Sequence, residues 1–404
     1  IGRNLCRVRY AQVRGPRGVL RLRSSLVPVG RKNLRIGIID TFGKGVGFTK
    51  AVVLCGGEGT RLKPFTFSRP KQLLPLANRV LIAYVIDSIK SCGIDEVCLV
   101  VNHHNRKAFE QTLKDGGGFG IRITYVLQEH PKGIAHALSL CENWAAGEKI
   151  LLYLGDNLLE ENLETMKSLF LNTQAQATIL LKEVEDPRAF GVATLQNGRI
   201  VRLVEKPKEP ESHNAVLGLY FFDEQVFDVI RRLKPSWRGE YEITDAIAML
   251  IAEGHVVNYH FLKGWWKDTG KVLDLLDANR RILLHKPAEK AGQIELEHTF
   301  LGEDVSVGEN CAFTNCRIEG PTIIGNNARF QNVYIGPYSA IGNDCALEHI
   351  ELENSILMDR VQLSNLPVRV KESILGCDFE WSATYPDAGE LRIIAGDHNK
   401  IIFS

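Results

Sequence analysis

Four apolar residues, Ala51 to Leu54, run directly into Cys55-Gly-Gly-Glu-Gly59-Thr-Arg-Leu-Lys-Pro64, and a second block, Lys71-Gln-Leu-Leu-Pro75, follows closely. An apolar run without polar alternation suits a strand covered on both faces, so the chain is expected to build a sheet with helices above and below it. Glycines at the strand's end lack Cβ atoms, which lets successive backbone N–H groups crowd round an anion, and phosphate is the natural guest. Arg61 adds a planar fork suited to phosphate oxygens and Lys71 a mobile point charge. Two common phosphate loops are excluded. No Lys-Ser or Lys-Thr follows the glycines as a Walker A loop needs, and Leu62 stands where G-x-G-x-x-G wants its third glycine. The bland alternative is an ordinary glycine-rich turn, which has no use for the paired cations.

Gly56-Gly-x-Gly-Thr-Arg-Leu-x-Pro64 together with Pro70-Lys-Gln-Leu-Leu-Pro75 resembles the signature of the sugar-1-phosphate nucleotidylyltransferases. The Lys-Gln-Leu-Leu-Pro form is that of the glucose-1-phosphate thymidylyltransferases. The resemblance runs from Lys50 to the C-terminus and fits the long members that carry a C-terminal β-helix; the ending Leu391-Arg-Ile-Ile-Ala-Gly-Asp-His398 is part of it. It implies an α/β fold: a Rossmann-like nucleotidyltransferase domain with a mixed, mostly parallel sheet, followed by a left-handed β-helix.

Composition narrows the classes. Of 404 residues, 45% are hydrophobic and 24% charged, ordinary for a globular chain of two or three domains. No apolar run reaches the ~18 residues of a membrane span, and a net charge of +1 offers no general argument for nucleic acid, so neither partner is expected. Nine scattered cysteines in mostly apolar surroundings read as buried thiols in a reducing cytoplasm, without zinc-ligand spacing. Residues 1–48 stand apart, rich in Arg and Lys with Asp40 as their only acid. A nucleic-acid-binding tail or a targeting peptide would look like this, but the resemblance begins only at Thr49. The segment is therefore expected to be a disordered or non-native extension, dispensable for activity.

From residue 49 to 286 short apolar runs alternate with amphipathic segments, the pattern of βαβ units. Helices are expected over Val80 to Cys92, Glu224 to Leu233 and Lys271 to His285, with another opening near Asp245. Strands are expected at 97–101, 122–126, 150–154, 178–181, 192–195, 200–204 and 216–222. Gly155-Asp156-Asn157 follows one buried strand at its carboxyl end, where open α/β sheets place ligands, although Asp156 also suits a turn cap. Lys263-Gly-Trp-Trp-Lys-Asp268 brings a second carboxylate out of a strand. Glu205-Lys206-Pro207 ends a hairpin and on its own would pass for a solvated strand end. After Pro287 apolar residues recur every five or six positions, at 307, 313, 318, 324, 330, 335, 341 and 347. That rhythm fits stacked β-helix coils over residues 287–404 better than a sandwich.

Two carboxylates beside an anion loop and three cations suit Mg²⁺, which takes one or two protein carboxylates and completes its shell with water and phosphate. The resemblance assigns Asp156 and Asp268 to the metal, and Arg61, Lys71, Asp156 and Lys206 to catalysis. It places Leu54, Gly56, Gly57, Gly59, Thr60, Gln72, Gln128 and Gly133 on the nucleotide, and Gly191, Glu205, Lys206 and Val216 on the sugar phosphate. The implied reaction joins dTTP to glucose 1-phosphate and releases pyrophosphate. A UTP-dependent or other sugar-1-phosphate nucleotidylyltransferase, a bifunctional enzyme with an acyl-transferring β-helix that offers His349, and a non-catalytic nucleotide-sugar sensor stay open on the residues alone. The β-helix, with its flat flanks, is expected to serve assembly into a homo-oligomer or regulation, not the transfer step.

Overall fold

The computed structural model describes residues 49–366, 369–382 and 390–402. The segment 1–48, and the expectation made for it, lies outside them.

Thr49–Leu54 sits near the middle of a nine-stranded mixed sheet, parallel to Lys149–Leu154 on one side and Glu96–Val101 on the other, with Arg122–Leu127 parallel beyond. Asn214–Phe222 runs antiparallel to Lys149–Leu154 and also pairs with Ala177–Glu183 and with the hairpin Gly191–Gln196/Arg199–Glu205. Val257–Phe261 completes the sheet. The unalternating apolar run resolves into the period of two that every strand has. Ala51 and Val53 enter one core with Leu99, Leu151 and Tyr153, whereas Val52 enters the other with Cys98, Val100 and Leu152. Leu81–Ser91, Arg106–Leu113 and Leu163–Asn172 cover the first core through Val85, Phe109 and Phe170. Ile134–Ser139, Gln225–Ile230 and Ile243–Ala252 cover the second through Leu138, Phe227 and Ile247.

One sequence expectation needs correction and another refinement. The helix expected over Glu224 to Leu233 is regular only over Gln225–Ile230; Arg232 and Leu233 bond three residues back, a tightened ending ahead of Pro235, which biases the residue before it away from helix. Asp268 does come out of a strand, but a half-buried one that stands outside the main sheet. It ends Trp266–Asp268, half of a separate two-stranded antiparallel ribbon with Asn157–Leu159.

Val272–His285 closes the catalytic region, and stacked parallel coils begin with Ile294–Glu297. All eight periodic apolar positions, from Val307 to Leu347, are buried. Their spacing falls into coils of seventeen residues, seen where Val305 pairs with Thr322 and Ile323 with Ala340. Phe313 stacks on Phe330 with ring centroids 4.8 Å apart. Corners are turned by asparagines and their substitutes in left-handed conformation, including Asn310, Asn327 and Asp344 at φ 55°, 59° and 58°. Asn310 donates to Asn327 at 2.9 Å and Asn327 to Asp344 at 2.8 Å. His349 occupies such a corner, bonded to the Asn332 amide at 2.8 Å, so its place is structural.

The coils do not stand free. Ile356, Met358, Ile374 and Cys377 join the same buried cluster as Leu62, Phe65, Leu74 and Leu81, so one flank of the β-helix is spent on the catalytic region.

Candidate active site

The central strand's ladder ends where Cys55 N–H bonds the Val100 carbonyl at 2.8 Å. Just beyond, the backbone carbonyls are taken up from behind. Asn105 donates its amide to Cys55 O at 2.7 Å and Asn102 to Gly56 O at 2.8 Å, while the Thr66 hydroxyl donates to Gly59 O at 2.9 Å. Among the described residues, the N–H groups of Gly56 to Thr60 have no protein acceptor, which leaves the loop's donors for an anionic guest. Gly59 is required here: its φ is +63°, and a Cβ would meet Thr66 Cγ2 at 2.9 Å.

Two cavities open at these strand ends and share Leu154 and Ile134 as a common wall. The smaller, about 260 Å³, is lined by Leu54, Gly56, Gly57, Lys71, Gln72, Gln128, Gly133 and Asp156. The larger, about 660 Å³, is lined by Arg61, Gly191, Glu205, Lys206, Val216 and Asp268. The residues assigned to the nucleotide and to the sugar phosphate thus separate into adjoining spaces. Gly59 and Thr60 belong to the loop but line neither cavity. Arg61 also departs from expectation. It lies in the 3₁₀ turn Thr60–Leu62 and lines the larger cavity, where its guanidinium packs over Gly270: a Cβ there would lie 2.8 Å from Nη2.

The carboxylates stand one in each cavity and are brought together by the ribbon, in which Asp268 pairs with Asn157 and both the N–H and the hydroxyl of Thr269 bond Asp156 O. Burial pushes the Asp156 carboxyl up, but the Lys71 ammonium bound to it and the Asn157 amide outweigh this and hold it below the usual range. Asp268 goes the other way. Burial and the neighbouring Asp156 charge push it to about 6 despite Lys71 and Arg61. Its Oδ1 is buried with no hydrogen-bond partner among the described residues. Among the described residues no group of three or more His, Cys, Asp or Glu forms a metal cage. Two carboxylates with an unmatched oxygen, facing a phosphate loop, are nonetheless the donor set that Mg²⁺ shares with phosphate, so the residues fit that ion.

In the larger cavity, Glu205 accepts from the Thr244 hydroxyl at 3.1 Å and lies 3.7 Å from Arg238; burial raises its carboxyl against the opposing pull of Lys206. Lys206 has φ +43°, a sparsely populated conformation for a non-glycine residue that its N–H bond to Phe190 O, 2.9 Å, helps to fix. Trp266 donates to Asn157 Oδ1 at 2.7 Å and walls the cavity. In the smaller cavity, Gln128 bonds His136 Nδ1 at 3.1 Å, and Gln72 is buried with Oε1 unmatched among the described residues. Gly133, at φ +105°, leaves no room for a Cβ, which would fall 2.5 Å from Tyr241 O.

Asn102, Asn105, His136, Thr244 and Trp266 are given no role in the sequence reading. Asn102 had a signal, since it directly follows the strand Glu96–Val101 at its carboxyl end; Asn105, Thr244 and Trp266 become visible only through partners distant in the chain, and His136 only through its bond to Gln128, eight residues before it.

Residues 50–284 match the family model described as Nucleotidyl transferase. The chain is 38% identical over 315 residues to the low-salt glycan biosynthesis nucleotidyltransferase Agl11 of Haloferax volcanii, covering 69% of this chain and 88% of that protein. It is 37% identical over 354 residues to a glucose-1-phosphate thymidylyltransferase of Streptomyces antibioticus, covering 87% and 99% respectively. A solved UDP-glucose pyrophosphorylase with UDP-glucose bound superposes at a TM-score of 0.54 and 26% identity, over 59% of this chain and all of that one. With the phosphate loop, the paired cavities and the two facing carboxylates in place, the chain belongs to the nucleotidyl transferase family.

Proposed function

We propose that the protein transfers a thymidylyl group from dTTP to glucose 1-phosphate, giving dTDP-glucose and pyrophosphate. The observation that carries this is the pair of cavities meeting at a single wall with one carboxylate in each. The reading is supported by the Streptomyces antibioticus relative, named for that activity and matched over almost its whole length.

The nucleotide's phosphates lie along Gly56 to Thr60, whose free N–H groups take the anionic oxygens. The base lies against Gln128 and the unmatched Oε1 of Gln72, an acceptor suited to an imide N–H. Lys206 holds the sugar phosphate and Glu205 the sugar hydroxyls. A phosphate oxygen of the sugar phosphate attacks the α-phosphorus, and pyrophosphate leaves; one P–O bond forms as another breaks. No protein nucleophile is required, because the attacking group is already an anion. The protein's task is to hold two mutually repelling anions in line and offset charge on the leaving group; the latter role falls to Lys71, with Arg61 acting from the larger cavity. Mg²⁺ held by Asp156 and Asp268 would add Lewis-acid stabilisation of the phosphoryl oxygens.

Pyrophosphate release measured across dTTP, UTP, ATP and GTP against glucose, galactose, mannose and N-acetylglucosamine 1-phosphates tests the reading. The highest kcat/KM is expected for dTTP with glucose 1-phosphate. A higher value with UTP would reassign the base, and no release with any pair would overturn transfer altogether.

A further inference from the structure

We propose that the last described coils of the β-helix position the phosphate-binding lysine: Arg69 and Asp397 are positioning residues that hold the segment Pro64 to Leu74 in the shape that presents Lys71 to the nucleotide. The proposal rests on the nucleotidyl-transfer reading above for its kinetic consequences, and on geometry alone for the brace itself.

The segment joins the two halves of the signature, yet it has little backbone structure of its own, only the short 3₁₀ turns Phe65–Phe67 and Lys71–Leu73. Such a stretch is held from outside or not at all. Its inner side is tied to the glycine loop through the bond from Thr66 to Gly59 O, and a Cβ on Gly59 would lie 3.4 Å from Lys71 Cβ. Its outer side is tied to the β-helix. Arg69 Nη2 lies 2.9 Å from Asp397 Oδ2 and 3.0 Å from Cys377 Sγ, and Asp397 Oδ1 accepts the Cys377 N–H at 2.8 Å. A Cβ added to Gly396 would fall 3.1 Å from Cβ of Pro64. Phe65 is buried in the cluster that contains Ile374 and Cys377.

The segment is therefore clamped between the loop that binds phosphate and Ala395-Gly-Asp-His398, the part of the C-terminal motif that the transfer chemistry left unused. A second tie stands just beyond. Asn279, fully buried, accepts the Ala77 N–H at 2.8 Å and donates to Tyr338 O at 3.1 Å, while Asn78 donates to Ile341 O at 2.6 Å. A half-buried ion pair contributes little net stability because its desolvation offsets its attraction, but its directionality specifies geometry. Arg69 is two residues from Lys71, so a shift at the pair is passed directly to the turn that carries the ammonium group.

The test uses the full chain. Asp397→Asn should raise KM for the nucleoside triphosphate and lower kcat, together roughly tenfold in kcat/KM, with KM for the sugar phosphate unchanged. Asp397→Glu should recover part of the loss. In a Lys71→Ala background the same substitution should cost nothing further, whereas in a Lys206→Ala background the losses should multiply. Hydrogen exchange gives a readout independent of activity: amides of residues 66–74 should exchange faster in Asp397→Asn, while those of 305–341 stay as in the parent protein. Full additivity with Lys71→Ala, or unchanged exchange at 66–74, would overturn the brace. If Asp397→Asn fails to fold, Arg69→Lys, which keeps the charge and loses the fork, is judged by the same exchange criterion. An inactive parent protein would refute the transfer reading and leave the exchange comparison to decide the brace.

Discussion

The catalytic region and the β-helix treat their polar groups in opposite ways. Around the two cavities, donors and acceptors are left without partners among the described residues: the N–H groups of Gly56 to Thr60, Gln72 Oε1 and Asp268 Oδ1. In the coils most polar groups close on one another, Asn354 Oδ1 being an exception among the described residues. Asn310, Asn327 and Asp344 form a ladder, and the fully buried Ser339, Ser355 and Ser373 each bond backbone carbonyls near them. An unmatched buried group carries a desolvation cost that a ligand can remove, whereas a matched one only holds the chain in register. The first arrangement marks a binding site and the second a scaffold, and they meet at Arg69.

The contrast can be broken most severely at Asp268. Asp268→Asn should lower turnover in Mg²⁺ by a factor of about 10² or more, and EDTA should abolish turnover in the parent protein. Because the native carboxylate is disfavoured, the same variant should keep or raise the thermal midpoint of the metal-free protein at pH 7. A midpoint that drops with the turnover would mean that Asp268 is structural. The reverse pattern is expected from the coil. Phe330→Ala removes one member of the stacked pair and should cost about 3–5 kcal/mol in denaturant unfolding, with kcat unchanged in the protein that remains folded.

Between these lies Lys206→Ala. It should raise KM for glucose 1-phosphate by a factor matching about 1.5–3 kcal/mol, the value of a charge-assisted bond, with KM for dTTP little altered. Because Arg61 lines the same cavity, Arg61→Ala should weaken glucose 1-phosphate as well as the triphosphate, and steady-state kinetics in both directions measure the split.

The smallest effect is a pH dependence. Burial pushes the Asp397 carboxyl up, but bonds from Ser68 and the Cys377 N–H and the charge of Arg69 bring it below its usual value of 3.8. The stability it contributes is therefore present above pH 3.8 and lost as pH falls through the lower native value. Glu205, raised by burial, has the opposite sign: its contribution is greatest below its unfolded value of 4.5 and falls away as pH rises. The stability of the parent protein relative to Asp397→Asn should fall as pH drops from 6 toward 3, by no more than about 1 kcal/mol, whereas its stability relative to Glu205→Gln should rise over the same range.

By itself, the sequence determined the elements whose signal is local. Ala51 to Leu54 is a buried strand because an unbroken apolar run can be satisfied only between two cores. Val307 through Leu347 line a coil because each step of five or six residues turns to the next face, and seventeen residues bring an apolar side chain back above its counterpart in the coil below. The identity of most cavity residues was legible for a related reason, since glycines, cations and carboxylates at strand ends leave a mark within a few positions. Tertiary structure alone decided which groups meet. Asp268 reaches Asp156 through a ribbon whose partner strand lies more than a hundred residues earlier, Arg61 lines the larger cavity from a 3₁₀ turn, and Arg69 finds Asp397 at a separation of 328 residues. Such pairings depend on strand register and on the docking of one surface against another, and neither leaves a periodic trace in the residues that take part.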